Sequence, residues 1–141
     1  MAPHLKLLST HTVTQEVTGD RRTKLKNTFL NFGDICNVHD HLLAAVTYYE
    51  HALEIAEDDG DVNDENRIIF IATILNNLGT VYCKLGQFGK AKDHHERALM
   101  LLRSFNPRQP TPEIADSLNK LGNVLYNLAH FEEAKDRYYQ F

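Results

Sequence analysis

Residues 72–102 read ATILNNLGTVYCKLGQFGKAKDHHERALMLL, and this stretch decides the fold. Leu75 and Leu78 fall at helical spacing before Gly79, and a second apolar series follows a break at Gly86. Glycine suits a turn between helices because it adopts positive φ without a steric penalty. A small residue such as Gly79 also lets two helices approach closely. The stretch therefore predicts two helices, joined by a tight turn and packed together near Gly79.

The same pattern of apolar residues around a glycine occurs three times along the chain. Gly33 and Gly122 stand in the same relation to their neighbours as Gly79 does, and the intervals between successive glycines are 46 and 43 residues. A pattern repeated at such an interval is typical of stacked helical units. The predicted units span residues of about 24–57, 66–104 and 111–141.

The order of Leu78-Gly79, Ala91 and His95 resembles the tetratricopeptide repeat. The period, which is longer than in the plain motif, is similar to that of kinesin light chains and nephrocystin-like proteins. The resemblance covers residues 24–141. It implies an all-α fold, in which three helix–turn–helix units with six helices form a right-handed superhelical solenoid.

Two parts of the chain depart from this pattern. Asp40 and Ala129 occupy the turn position that Gly86 holds in the central unit, so we expect a less tight turn at Asp40. Residues 1–23 show no clear period, and we expect them to form a loosely ordered N-terminal arm or the remnant of a helix.

Charge and composition argue against several classes of protein. Fifteen Lys and Arg residues against nineteen Asp and Glu residues give a net charge of −4, which disfavours a nucleic-acid binder. No apolar run is long enough to span a membrane. With only two cysteines, the chain is expected to be a reduced, cytoplasmic protein.

No motif of catalytic or cofactor chemistry stands out, so we expect neither an enzyme nor a bound cofactor. The chain has eight histidines, and His94 and His95 form part of the densest cluster. Adjacent helical residues point about 100° apart and cannot share one ion unaided. Zinc sites need four converging ligands, so we expect no metal site.

The resemblance implies that the first helix of each unit lines a concave groove. An asparagine amide on such a surface offers both donors and an acceptor to the backbone of an extended peptide. Arrays of this kind that hold extended peptides use inward asparagines in this way. The residues that the resemblance places on the peptide-binding surface are Asn76, Thr80, Asn119, Asn123 and Tyr126, with Asn37 and Asp34 from the first unit.

These features favour a non-enzymatic scaffold for protein–protein interaction that binds an extended peptide segment of a partner in the concave groove. One alternative is a structural repeat segment that self-associates into a homo-oligomer through its uncapped terminal helix, because terminal repeats normally need a polar cap. Another is an adaptor that binds through its convex face or its loops. Neither a nucleic acid nor a membrane is expected as a partner.

Overall fold

The structure is a computed structural model that describes the backbone of residues 11–58, 64–105 and 111–139. Its side chains are described from residue 19 onward and as far as residue 137. The described residues form an all-α helical repeat of five helices. These are α1 (His11–Val38), α2 (Leu42–Asp58), α3 (Glu65–Lys84), α4 (Phe88–Phe105) and α5 (Pro112–Tyr139).

The first two units are helix pairs that close over a glycine. A Cβ atom on Gly33 would lie 2.5 Å from the ring of Tyr49, and one on Gly79 would lie 2.6 Å from the ring of His95. Real Cβ contacts are not this short, so each glycine gives the facing helix room for a large ring. Both rings are fully buried, which fixes α2 against α1 and α4 against α3.

The turns that close these two units have the same shape. Asp40 has a φ of 61° and Gly86 has a φ of 76°, so both residues occupy the left-handed region. In the first turn the backbone N–H of His41 donates to the carbonyl of Cys36, and in the second that of Gln87 donates to the carbonyl of Tyr82. These are Schellman-type helix ends. The looser turn expected at Asp40 is therefore not observed.

The third unit does not close, and the prediction of six helices is wrong. Residues 112–139 form one continuous helix, α5, which passes through Ala129 without a turn. An L-residue such as alanine pays roughly 1–2 kcal/mol in the left-handed conformation that the other two turns use. Alanine is also the best helix former, so the helix continues where Gly86 and Asp40 end theirs.

The helices are arranged so that the first helix of each unit lies on the inner side. Helix α3 contacts both α1 and α5, whereas α2 and α4 make no comparable approach to each other within the described ranges. Helices that approach more closely on one side of a stack make that side concave. The concave surface therefore belongs to α1, α3 and α5.

An arginine joins the first unit to the second. Arg67, near the start of α3, donates from Nε to the carbonyl of Ala56 at 3.0 Å and from Nη2 to the carbonyl of Glu57 at 2.7 Å. The last carbonyls of a helix lack partners within it, so Arg67 satisfies two groups at the end of α2.

Element boundaries differ from the sequence-based ones at the edges of the units. Helix α1 begins at His11, so residues 11–23 of the expected arm are helical, while residues 1–10 lie outside the described part. Helix α2 ends at Asp58 and α4 at Phe105, each one residue beyond the predicted unit ends of about 57 and 104.

Two matched substitutions test the role of the glycines. We expect Gly79→Ala to destabilise the fold by about 1–3 kcal/mol, because the new methyl group would overlap the ring of His95. Gly122→Ala should instead stabilise the fold by roughly 0.5–1 kcal/mol, because nothing lies within 4 Å of its Cβ position and alanine favours a helix. Urea unfolding of the two variants and the parent measures both effects. Equal destabilisation by both would contradict this account of the helix contacts.

Candidate peptide-binding groove

A buried polar cluster of Asn76, His95 and Ser117 joins helices α3, α4 and α5. The Asn76 side chain is only 5% exposed. Its Nδ2 donates to Ser117 Oγ at 2.7 Å, and its Oδ1 pairs with His95 Nδ1 at 2.8 Å. The structure thus places Asn76, which the sequence assigned to the peptide-binding surface, inside the protein with both ends of its amide bonded.

His95 is held in its neutral form within this cluster. Burial is the largest cause, and the positive charge of Lys120 adds to it; together they lower the pKa of His95 from 6.5 to about 4. Because Asn76 Oδ1 is an acceptor, His95 donates from Nδ1, which fixes the tautomer. The histidine is a packed core residue, with 1% of its surface exposed.

Next to this cluster, a cavity of about 300 Å³ opens between α3 and α5. Thr80 and Asn123, two of the predicted binding residues, lie together on its wall. Asn123 is exposed, while the Thr80 hydroxyl donates to the carbonyl of Asn76 at 3.0 Å and keeps its lone pairs free to accept. The other lining residues are Cys83, Lys84, His95, Lys120 and Val124.

The remaining predicted residues of α5 are open to solvent. Asn119 and Tyr126 are both exposed on this helix. The Tyr126 ring meets the ring of His130 edge-on, with 4.2 Å between the ring centroids. These two residues remain candidates for contact with a partner.

The two predicted residues of the first unit already take part in contacts within the protein. Asp34 accepts hydrogen bonds from the Tyr49 hydroxyl at 2.5 Å and from Asn77 Nδ2 at 3.4 Å. Burial and then this bond to Asp34 raise the pKa of Tyr49. Asn37 Oδ1 accepts from Lys84 Nζ at 2.8 Å. Asp34 and Asn37 therefore link α1 to its neighbours, and Asn37 does so through Lys84, which lines the cavity.

Two lysines that are not among the predicted binding residues, Lys84 and Lys120, also line the cavity. Lys84 Nζ lies 3.8 Å from Asp40 Oδ1, and Lys120 Nζ lies 3.1 Å from Asp116 Oδ2. Such partly exposed ion pairs are weak, so both ammonium groups remain able to attract a ligand's negative charge. Lys120 directly follows the predicted residue Asn119 in the sequence, and this adjacency was the signal that could have pointed to it.

Other kinds of site are not found among the described residues. Within those ranges, no three His, Cys, Asp or Glu side chains converge as a metal site would require. No described helix is both long and apolar enough to cross a membrane. Cys36 and Cys83 are free and half-buried.

Residues 70–140 match the family model of the tetratricopeptide repeat, of the kinesin light chain-like type. This match covers half of the chain, and the chain belongs to the tetratricopeptide repeat family. Members of this family are generally modules for protein–protein interaction. The resemblance drawn from the sequence is thereby confirmed.

A solved structure shares the fold. The crystal structure of BtubC (BKLC) from P. vanneervenii superposes with a TM-score of 0.64 at 24% sequence identity. The superposition covers 74% of this chain and 39% of that chain, so the present chain spans well under half of its length. No curated protein sequence matches the chain.

Sequence analysis assigns Asn76 and Asn123 to the same surface, but their replacement by alanine should have different effects on stability. We expect Asn76→Ala to destabilise the fold by about 2–4 kcal/mol, because it leaves the buried groups of His95 and Ser117 without partners. Asn123→Ala should change stability by no more than about 0.5 kcal/mol, because the side chain is exposed. Thermal unfolding of both variants measures the difference. Equal stabilities would show that the buried cluster is not formed.

The stability of the protein should depend on pH through His95. Unfolded, this histidine takes up a proton near pH 6.5, whereas in the folded protein it does so only near pH 4. Stability from this group is therefore complete above pH 6.5 and is lost as the pH falls toward 4, by at most roughly 3 kcal/mol. Unfolding free energies of the parent and of His95→Phe, measured from pH 4 to pH 7, isolate the effect. A difference between them that does not change with pH would contradict the assignment.

Proposed function

We propose that the chain is a non-enzymatic, cytoplasmic scaffold that binds an extended peptide segment of a partner protein in its concave groove. The observation that carries this proposal is the cavity between α3 and α5, whose wall combines Thr80 and Asn123 with two lysines. The free cysteines support a reducing compartment.

The polar side chains of the groove suit the backbone of a peptide. Asn119 and Asn123 are exposed and lie one helical turn apart on α5, so their amides face the same direction. Each amide offers donors and an acceptor, and these pair with the N–H and C=O groups of an extended chain. Such contacts do not depend on the ligand's side chains, so they give affinity with little sequence preference.

The cavity itself gives the groove a preference for particular peptide sequences. Its volume of about 300 Å³ lies at the lower end of the range for ligand pockets, which suits one side chain of a peptide rather than a whole small molecule. Lys84 and Lys120 favour a carboxylate at the mouth, while Val124 and Cys83 offer apolar contact. The partner segment is therefore expected to carry an acidic residue whose side chain enters this cavity.

A peptide-display selection followed by fluorescence polarisation tests the proposal. We expect selected peptides to bind the parent and to bind Asn119→Ala/Asn123→Ala at least about tenfold more weakly, because two hydrogen bonds of roughly 1 kcal/mol each are lost. Both side chains are exposed, so the variant should keep the parent's stability.

The matched control is Glu54→Ala/Asp93→Ala, which removes two exposed side chains from the outer helices α2 and α4. This variant should bind as the parent does. If it weakens binding equally, or if the groove variant binds like the parent, the peptide lies elsewhere. Replacing Lys84 and Lys120 by glutamine should weaken binding of acidic peptides more than of neutral ones, and added salt should reduce that difference.

A further inference from the structure

The buried ring of His95 has a second nitrogen that a ligand in the groove can reach. Nδ1 is bonded to Asn76, while Nε2 has no hydrogen-bond partner among the described residues. Within the same residues, no side-chain nitrogen or oxygen is both fully buried and unpartnered, so Nε2 is not completely enclosed. The ring as a whole is only 1% exposed, and it lines the cavity between α3 and α5. Nε2 is therefore open to the cavity.

In the free protein this nitrogen does not suit the ligand that the cavity attracts. With the proton on Nδ1, Nε2 carries a lone pair and can only accept a hydrogen bond. The carboxylate that Lys84 and Lys120 favour also only accepts at neutral pH. Two acceptors that face each other repel. The ring must therefore change its protonated nitrogen before a carboxylate can bind against it.

The buried cluster can make this change because each of its hydrogen bonds can run in either direction. The amide of Asn76 has a donor and an acceptor at its two ends, and a half-turn about its Cβ–Cγ bond exchanges them while its shape stays the same. Ser117 Oγ then donates to Asn76 Oδ1, Asn76 Nδ2 donates to His95 Nδ1, and the ring carries its proton on Nε2. The observed separations of 2.7 and 2.8 Å suit both directions.

Reversal loses no hydrogen bond within the cluster. Two bonds join the three side chains in each direction. In the free protein the hydroxyl proton of Ser117 has no acceptor among the described residues, whereas in the reversed cluster Asn76 Oδ1 accepts it. The reversed cluster is therefore as well bonded as the original one, and it adds a donor that points to the cavity.

The ring stays neutral during this change. Burial, Lys120 and His94 all oppose a positive charge on His95, and Asp116 offsets them only in part, so its pKa falls to about 4. A ligand carboxylate favours the charged ring, but the ammonium groups of the two lysines that line the cavity offset its charge. Moving the proton between the two nitrogens is thus easier than adding a second proton.

We propose that a ligand carboxylate reverses the cluster, so that His95 donates a hydrogen bond from Nε2 to the acidic residue of the bound peptide. The ring loses the proton on Nδ1 and gains one on Nε2, so neither its charge nor the number of bound protons changes. This inference rests on the proposed function and identifies His95 as the residue that recognises an acceptor in the cavity. The core histidine is then also a specificity-determining residue of the groove.

Nitrogen-15 NMR of the imidazole rings at pH 7 tests the proposal. The probe is the tightest-binding acidic peptide from the display selection, and its matched control is the same peptide with the acidic residue replaced by alanine. We expect the acidic peptide to move the proton of His95 from Nδ1 to Nε2, and the alanine peptide to leave it on Nδ1. His94, whose Nδ1 lies 2.7 Å from the carbonyl oxygen of Lys90, is an internal control that should not change.

Three results would overturn the proposal while the peptide still binds. A proton that stays on Nδ1 in the complex would show that the carboxylate does not bind the ring. A proton on Nε2 in the free protein would show that no reversal takes place, and a doubly protonated ring in the complex would show that binding takes up a proton. The proposed function stands in all three cases. If no peptide binds in the groove, the proposed function fails, and this inference fails with it.

A binding measurement separates recognition by His95 from its packing role. His95→Phe removes Nε2 but keeps a ring in the space beside Gly79. By fluorescence polarisation this variant should bind the acidic peptide about tenfold more weakly than the parent does, because a hydrogen bond to a charged group is lost. The alanine peptide should lose less than about twofold, because it makes no such bond. An equal loss for both peptides would mean that the ring acts through packing alone, and would contradict the proposal.

Discussion

The structure depends on the contact between the His95 ring and the backbone of helix α3. Gly79 leaves the space that the ring fills. One turn earlier on α3, Asn76 Oδ1 accepts a hydrogen bond from His95 Nδ1. The same amide then donates to Ser117, so a single side chain connects three helices. Buried polar groups are costly unless they are paired, and among the described residues no fully buried side-chain nitrogen or oxygen lacks a hydrogen-bond partner. The cluster therefore fixes the position of α5 relative to the central unit.

The candidate groove is a consequence of that arrangement. Because Ser117 is held against Asn76, the next turns of α5 stand opposite those of α3 and leave the cavity between them. Thr80, Asn123 and the two lysines are then brought together from helices that are distant in sequence. His95 is the member of the buried cluster that lines the cavity, and the exposed residues around it are available to a ligand.

Much of the fold could be predicted from the sequence, because helical spacing and glycine positions describe contacts within one pair of helices. That signal predicted α2, α3 and α4 and the close approach at Gly79. It did not predict that α5 continues through Ala129. The repeat pattern is the same whether the chain turns between two helices or continues as one helix. The spacing of residues also could not predict the role of Asn76. Its burial depends on Ser117 of another unit, and the spacing within one helix carries no information about that neighbour.

The state of His95 tests this account most directly. Nitrogen-15 NMR of the imidazole ring, followed through a pH titration, reports both the tautomer and the pKa. The account predicts a neutral ring protonated on Nδ1, with a pKa of about 4. A pKa near 6.5 would show that His95 is not buried against Gly79 and bonded to Asn76, and would contradict the arrangement on which the groove depends.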